Sequence, residues 1–83
     1  MPLSNFDANT QLKIMETLAD HFPFALLDSE LTTAFVDEVE KFKFNLIYLM
    51  DKGFVTKNIR QDSNGREAKG YRLTASGVDH LRM

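Results

Sequence analysis

The chain contains no cysteine. Disulfides, thiolate zinc sites and a cysteine nucleophile are therefore excluded, and a reducing cytoplasm is the expected compartment. No stretch approaches the ~20 apolar residues that a membrane-spanning helix needs. Residues 1–7 lack the basic run and the apolar centre of a secretory leader, so neither secretion nor membrane insertion is expected. His21 and His80 stand far apart, without carboxylates at metal-ligand spacing, and no metal or cofactor is expected. Gly53, Gly65, Gly70 and Gly77 are scattered rather than gathered into a phosphate-cradling loop. Ser4, Ser29, Ser63 and Ser76 have no histidine neighbour in sequence, and Glu38 with Glu40 reads as a solvated helical turn, so no enzyme is expected.

Eighty-three residues leave room for a single domain over 1–83 with one core. Hydrophobic residues make up 43% and charged residues 27%, the usage of an ordinary globular protein. The net charge of −2 conceals a division along the chain. Residues 1–51 carry three lysines against nine carboxylates, a net −6, whereas residues 52–72 carry six cations against two carboxylates, a net +4. The basic charge is concentrated in one segment.

From Ala8 to Phe22 the residues Ala8, Leu12, Met15, Leu18, Ala19 and Phe22 recur at steps of three and four, which predicts a first helix over 8–22. Asn5 or Asp7 can cap it, and Pro23 stops it. After an apolar connector, Phe24 to Leu27, Asp28 reads as the N-cap of a short second helix over 28–35, with Glu30 in its positive first turn. Asp37 and Glu40 have capping-box spacing, so a third helix is expected over 37–52. Its core stripe is Val39, Phe42, Leu46, Leu49 and Met50, and Gly53 suits its left-handed C-cap. A hairpin over 54–73 follows, with β-branched Val55, Thr56 and Ile59 and the turn dipeptide Asn64-Gly65. Thr74 can cap a last helix over 75–82 that carries Val78 and Leu81.

Two words sharpen this pattern. Asp51-Lys52-Gly53-Phe54-Val55 resembles the end of the recognition helix and entry into the wing of winged helix-turn-helix proteins of the bacterial or phage transcription-regulator type. Tyr71-Arg72-Leu73-Thr74-Ala75-Ser76-Gly77-Val78 resembles the return strand and Leu-Thr-x-x-Gly continuation of that family. The resemblance spans nearly the whole chain. It implies an α+β fold with a three-helix core, a β-hairpin wing and a short C-terminal helix, and a small regulator that binds duplex DNA with helix three and the wing.

On a helical wheel Lys41, Asn45, Tyr48 and Lys52 are read as the exposed face of helix three, with Phe44 beside them. Lysine pairs with phosphates or guanine, asparagine with adenine, and an aromatic ring with a thymine methyl. Asp37, Glu38 and Glu40 at the helix start depart from the family pattern, because carboxylates repel phosphates. Lys57, Arg60, Arg66, Lys69 and Arg72 form the basic set of the wing, read either as a phosphate footprint or as solubilising charge on a surface hairpin. Phe44 and Tyr48 support a second reading: unless they bury against the wing, they anchor a protein partner or a second copy in a homodimer.

Overall fold

The computed structural model describes residues 5–61 and 63–82, with Arg60 described through its backbone alone. The elements are α1 (Ala8–Ala19), β1 (Leu26–Leu27), α2 (Asp28–Thr33), α3 (Val39–Asp51), β2 (Val55–Gln61), β3 (Glu67–Leu73) and α4 (Ala75–Arg82), with a 3₁₀ turn at Val36–Glu38 before α3. The helices enclose the core against one face of an antiparallel sheet of order β1-β3-β2.

Asp7 is the cap of α1. Its carboxylate accepts the Asn9 N–H at 3.4 Å and the Thr10 hydroxyl at 2.6 Å. The Thr10 bond outweighs the opposing effect of partial burial and, with the Asn9 N–H and the Lys41 charge, holds the Asp7 carboxyl below its ordinary range. The inward line of α1 is Thr10, Ile14, Met15 and Leu18. Leu12 and Phe22, expected on the core face, are 47% and 41% exposed, and Ala8 is exposed too. Ile14 lies four residues from both Thr10 and Leu18, and that line centres the buried face. α1 ends at Ala19 rather than Phe22: His21 and Phe22 donate to the carbonyls of Leu18 and Ala19, three residues back, which closes the helix in a tight turn.

The expected connector holds a strand. Leu26 pairs with Tyr71 and Leu27 with Gly70, which adds β1 to the edge of the hairpin. Asp28 is then the first helical residue and not the cap; Leu27 occupies the cap, and its N–H donates to the Glu30 carboxylate at 3.0 Å. α2 ends at Thr33, two residues short of expectation, because Phe35 turns inward to stack on Phe42 at 4.8 Å. Asp37 and Glu40 form no capping box. The 3₁₀ turn takes up Asp37, Glu38 donates its N–H to the Phe35 carbonyl, and α3 starts at Val39 without a side-chain cap.

Within the core Ile14, Leu18, Leu31, Phe42, Leu49 and Leu73 are essentially inaccessible. Val39 and Met50, expected in the α3 stripe, are only half-buried. Gly53 (φ +80°) ends α3 and Gly65 (φ +78°) follows Asn64 in the hairpin turn, both in the left-handed region their positions require. Thr74 ties the end of α3 to the start of α4. Its N–H donates to the Phe54 carbonyl at 2.9 Å, its hydroxyl donates to the Gly53 carbonyl at 2.6 Å, and its Oγ1 accepts the Gly77 N–H at 3.0 Å.

Candidate nucleic-acid interface

The rotation of α3 about its axis decides which side chains can meet a ligand. Phe42, Leu46 and Leu49 point into the core. Asn45 is fully buried with them. Its Oδ1 accepts the Asp7 N–H at 3.1 Å and the Gln11 Nε2–H at 3.0 Å, and its Nδ2 donates to the carbonyls of Asn5 and Lys41, each at 2.7 Å. The expectation that Asn45 is exposed for base contact is thus overturned. It lies one residue before Leu46 and four before Leu49, about 60° from the middle of the core stripe. The chain leading into α1 covers that border.

Lys41 and Tyr48 lie on the same side. The Lys41 ammonium stands 3.9 Å from both the Asp7 and the Glu38 carboxylates and is only partly exposed, so it is occupied within the fold. Tyr48 is half-buried, with the Phe6 ring edge-on at 4.9 Å. Lys52 is exposed at the C-cap, in a recess shared with Gln11, Leu12 and His80 of α1 and α4. This side of α3 faces α1 and the N-terminal segment, away from the hairpin.

The other side faces the sheet. Register places Val55, Lys57 and Ile59 on one face of the hairpin with Leu73, Tyr71 and Lys69. Val55, Tyr71 and Leu73 are buried against the helices; farther along, Lys57, Ile59 and Lys69 emerge into solvent. There they meet α3. Lys43, Ile47 and Met50 of α3, Lys57 of β2 and Lys69 of β3 line a concavity of about 310 Å³. Lys43, Lys57 and Lys69 are exposed, and among the described residues none has a carboxylate within 4.0 Å of its ammonium. Asp28 also borders the recess; burial foremost, and then the nearby Asp28 carboxylate, pushes the Tyr71 pKa up.

Of the expected wing residues, Lys57 and Lys69 therefore share the concavity. Arg72, opposite Thr56 in register, lies on the other sheet face, half-buried, and donates to the Leu73 carbonyl at 3.2 Å. Arg60 pairs with Ala68 through its backbone, and its side chain lies outside the described residues. Arg66 is exposed in the turn. Lys43 was missing from the expected set. Its signal was the line Lys43, Ile47, Met50 at steps of four and three, a second edge of the stripe on the hairpin side.

Between the two sides, the outward face of α3 carries Glu40, Phe44, Ile47 and Asp51, with Phe44 half-buried and Ile47 58% exposed. Phe6, itself 46% exposed, stands edge-on to Phe44 at 6.4 Å. Phe44 and Tyr48 thus both pack against Phe6, and Tyr48 also packs against the core. Among the described residues no group of three histidine, aspartate or glutamate side chains converges, and no helix is long and apolar enough to cross a membrane.

No family model matches the sequence, and no curated protein matches it. Solved structures do resemble the fold. A mutant of MepR from a multidrug-resistant S. aureus clinical isolate superposes on 96% of this chain with a TM-score of 0.72 and 23% identity, and this chain spans only 56% of the MepR chain. A Thermoplasma acidophilum protein assigned as a transcriptional regulator superposes on 89% of this chain and is itself covered over 74%, with a TM-score of 0.66 and 18% identity. Element order, the sheet order β1-β3-β2 and these superpositions agree: the chain has the α+β winged helix-turn-helix fold, with β2–β3 as its hairpin.

Proposed function

We propose that the protein is a small DNA-binding regulator of transcription that grips the phosphate backbone of a duplex through the concavity between α3 and the wing. The observation that carries this reading is the convergence of Lys43, Lys57 and Lys69, from three separate elements, on one recess, where among the described residues no carboxylate lies within 4.0 Å of their ammonium groups. Unpaired ammonium groups on a concave surface attract a polyanion and gain free energy as condensed counterions are released. The assignment of the Thermoplasma protein as a transcriptional regulator supports the same reading.

The α3 residues suited by type to reading bases give this function less support. Asn45 is used inside the fold, Lys41 is paired with carboxylates, and the outward face of α3 mixes Glu40 and Asp51 with apolar side chains. Affinity accordingly rests on phosphate contact by the wing side. The test is titration of a fluorescently labelled duplex at about 50 mM salt with the wild type and a Lys57→Glu/Lys69→Glu variant. Binding is expected in the wild type, with a loss of roughly 10- to 100-fold in the variant. No binding by the wild type, or equal affinity of the two proteins, would overturn the reading.

A further inference from the structure

The outward face of α3 is not built for a nucleic acid. Phe6 and Ile47 are 46% and 58% exposed, and with half-buried Phe44 and Tyr48 they form one contiguous apolar surface. Phe44, Ile47 and Tyr48 line a broad recess of about 640 Å³, with Glu40, Lys43 and Asp51 at its rim. Aromatic and β-branched side chains collected in this way on a small domain mark a surface that a protein covers. Two carboxylates at the rim disfavour a polyphosphate occupant.

The rim also says which protein. Lys43 and Asp51 each lie four residues from Ile47, on opposite sides of it. Two α3 helices packed antiparallel about a twofold axis at Ile47 bring Lys43 of one copy opposite the partner's Asp51, and by symmetry the reverse pair forms as well. Ile47 then packs on the partner's Ile47, with the aromatic side chains of the two copies beside the axis. A parallel pairing would instead set Lys43 on the partner's Lys43 and Asp51 on the partner's Asp51, joining like charges. One face therefore carries both halves of a complementary pattern centred on its most exposed apolar residue.

We infer that the outward face of α3 is a self-association surface, occupied by a second copy of this chain in an antiparallel, twofold arrangement centred on Ile47. The inference shares Lys43 and Ile47 with the recess of the DNA reading, while Lys57 and Lys69 lie outside this face, and its test reads association in the absence of nucleic acid, so that either reading can fail alone. It also gives Phe44 and Tyr48 their role: their rings and that of Phe6 supply the buried area, and the charged rim sets the direction of the helices.

The test is sedimentation equilibrium of the full chain across micromolar to millimolar concentration, with circular dichroism to confirm that each variant is folded. The wild type is expected to dimerise, and Ile47→Glu, at an exposed site, to remain monomeric. Lys43→Asp alone and Asp51→Lys alone each weaken the dimer roughly tenfold by replacing the two symmetry-related attractions with repulsions. The double variant Lys43→Asp/Asp51→Lys restores wild-type association, because the pairs re-form with their signs exchanged. A wild type that is monomeric throughout, or a dimer indifferent to Ile47→Glu, overturns the surface. Single reversals without effect, or a double variant that fails to recover, overturn the antiparallel arrangement.

Discussion

Replacing Asn45 with alanine is expected to lower the unfolding free energy by about 2–4 kcal/mol, the sum of several hydrogen bonds at roughly 0.5–1.5 kcal/mol each together with newly unsatisfied groups. The side chain is fully buried and uses its whole bonding capacity, with two bonds accepted from Asp7 and Gln11 and two donated to Asn5 and Lys41. Alanine has none of these groups. The Asp7 N–H and the Asn5 carbonyl lose their partner, and Asp7, the cap of α1, loses its tie to α3. In a domain of this size such a loss shifts the melting midpoint by about 4–8 °C for each kcal/mol. Urea denaturation at matched concentration measures it directly. An unchanged midpoint would mean that Asn45 is free in solution, as a residue kept for base contact would be.

Gly77→Ala is expected to destabilise the fold by about 1–3 kcal/mol, the usual cost of overpacking, although alanine is better than glycine by roughly 1 kcal/mol within a helix. A Cβ at position 77 would collide with the Phe54 carbonyl oxygen and stand 2.8 and 2.9 Å from Cδ1 and Cγ of Leu73. Leu73 can shift only by disturbing the core in which it is inaccessible, and the Phe54 carbonyl is held by the Thr74 N–H. The backbone of α4 crosses the segment between α3 and β2 at Phe54, and only a hydrogen atom fits between them. The variant should melt below the wild type under all conditions; a higher midpoint would show that helix propensity outweighs the crowding there.

This contact also explains why one part of the chain was so readable. Leu73-Thr74-x-x-Gly77 is a packing requirement written locally: an inaccessible leucine, a threonine that bonds both strand entry and helix start, and a glycine where two backbones meet. The Asp7 cap, Gly53 at the end of α3 and the Asn64-Gly65 turn were legible for the same reason, since each depends on its neighbours in sequence. β1 was not. Two residues carry no periodicity, and Leu26–Leu27 is a strand only because β3 offers its free edge more than forty positions later. The 3₁₀ turn before α3 was hidden as well, because it follows from the tertiary stacking of Phe35 on Phe42 and overrides the local capping-box spacing of Asp37 and Glu40.

The candidate site divides along the same line. The basic hairpin was visible in composition, and Lys57 and Lys69 were among its expected contacts. Which lysines of α3 join them depends on how α3 is rotated, and the segment before α1 sets that rotation by engaging Asn45 and Lys41. Charge alone could not distinguish Lys43, on the wing side, from Lys41 and Lys52, on the α1 side.

Phosphate contact by the wing lysines is tested by the dependence of duplex binding on salt concentration, measured in parallel for the wild type, Lys57→Ala/Lys69→Ala and Lys41→Ala/Lys52→Ala. Each phosphate contact contributes roughly 0.9 to the slope of log affinity against log salt. The slope is expected to flatten by about 2 when the two wing lysines are removed and to stay unchanged when the two α1-side lysines are removed. A slope that flattens with Lys41 and Lys52 and not with Lys57 and Lys69, or duplex binding with no salt dependence at all, would contradict phosphate contact by the wing lysines.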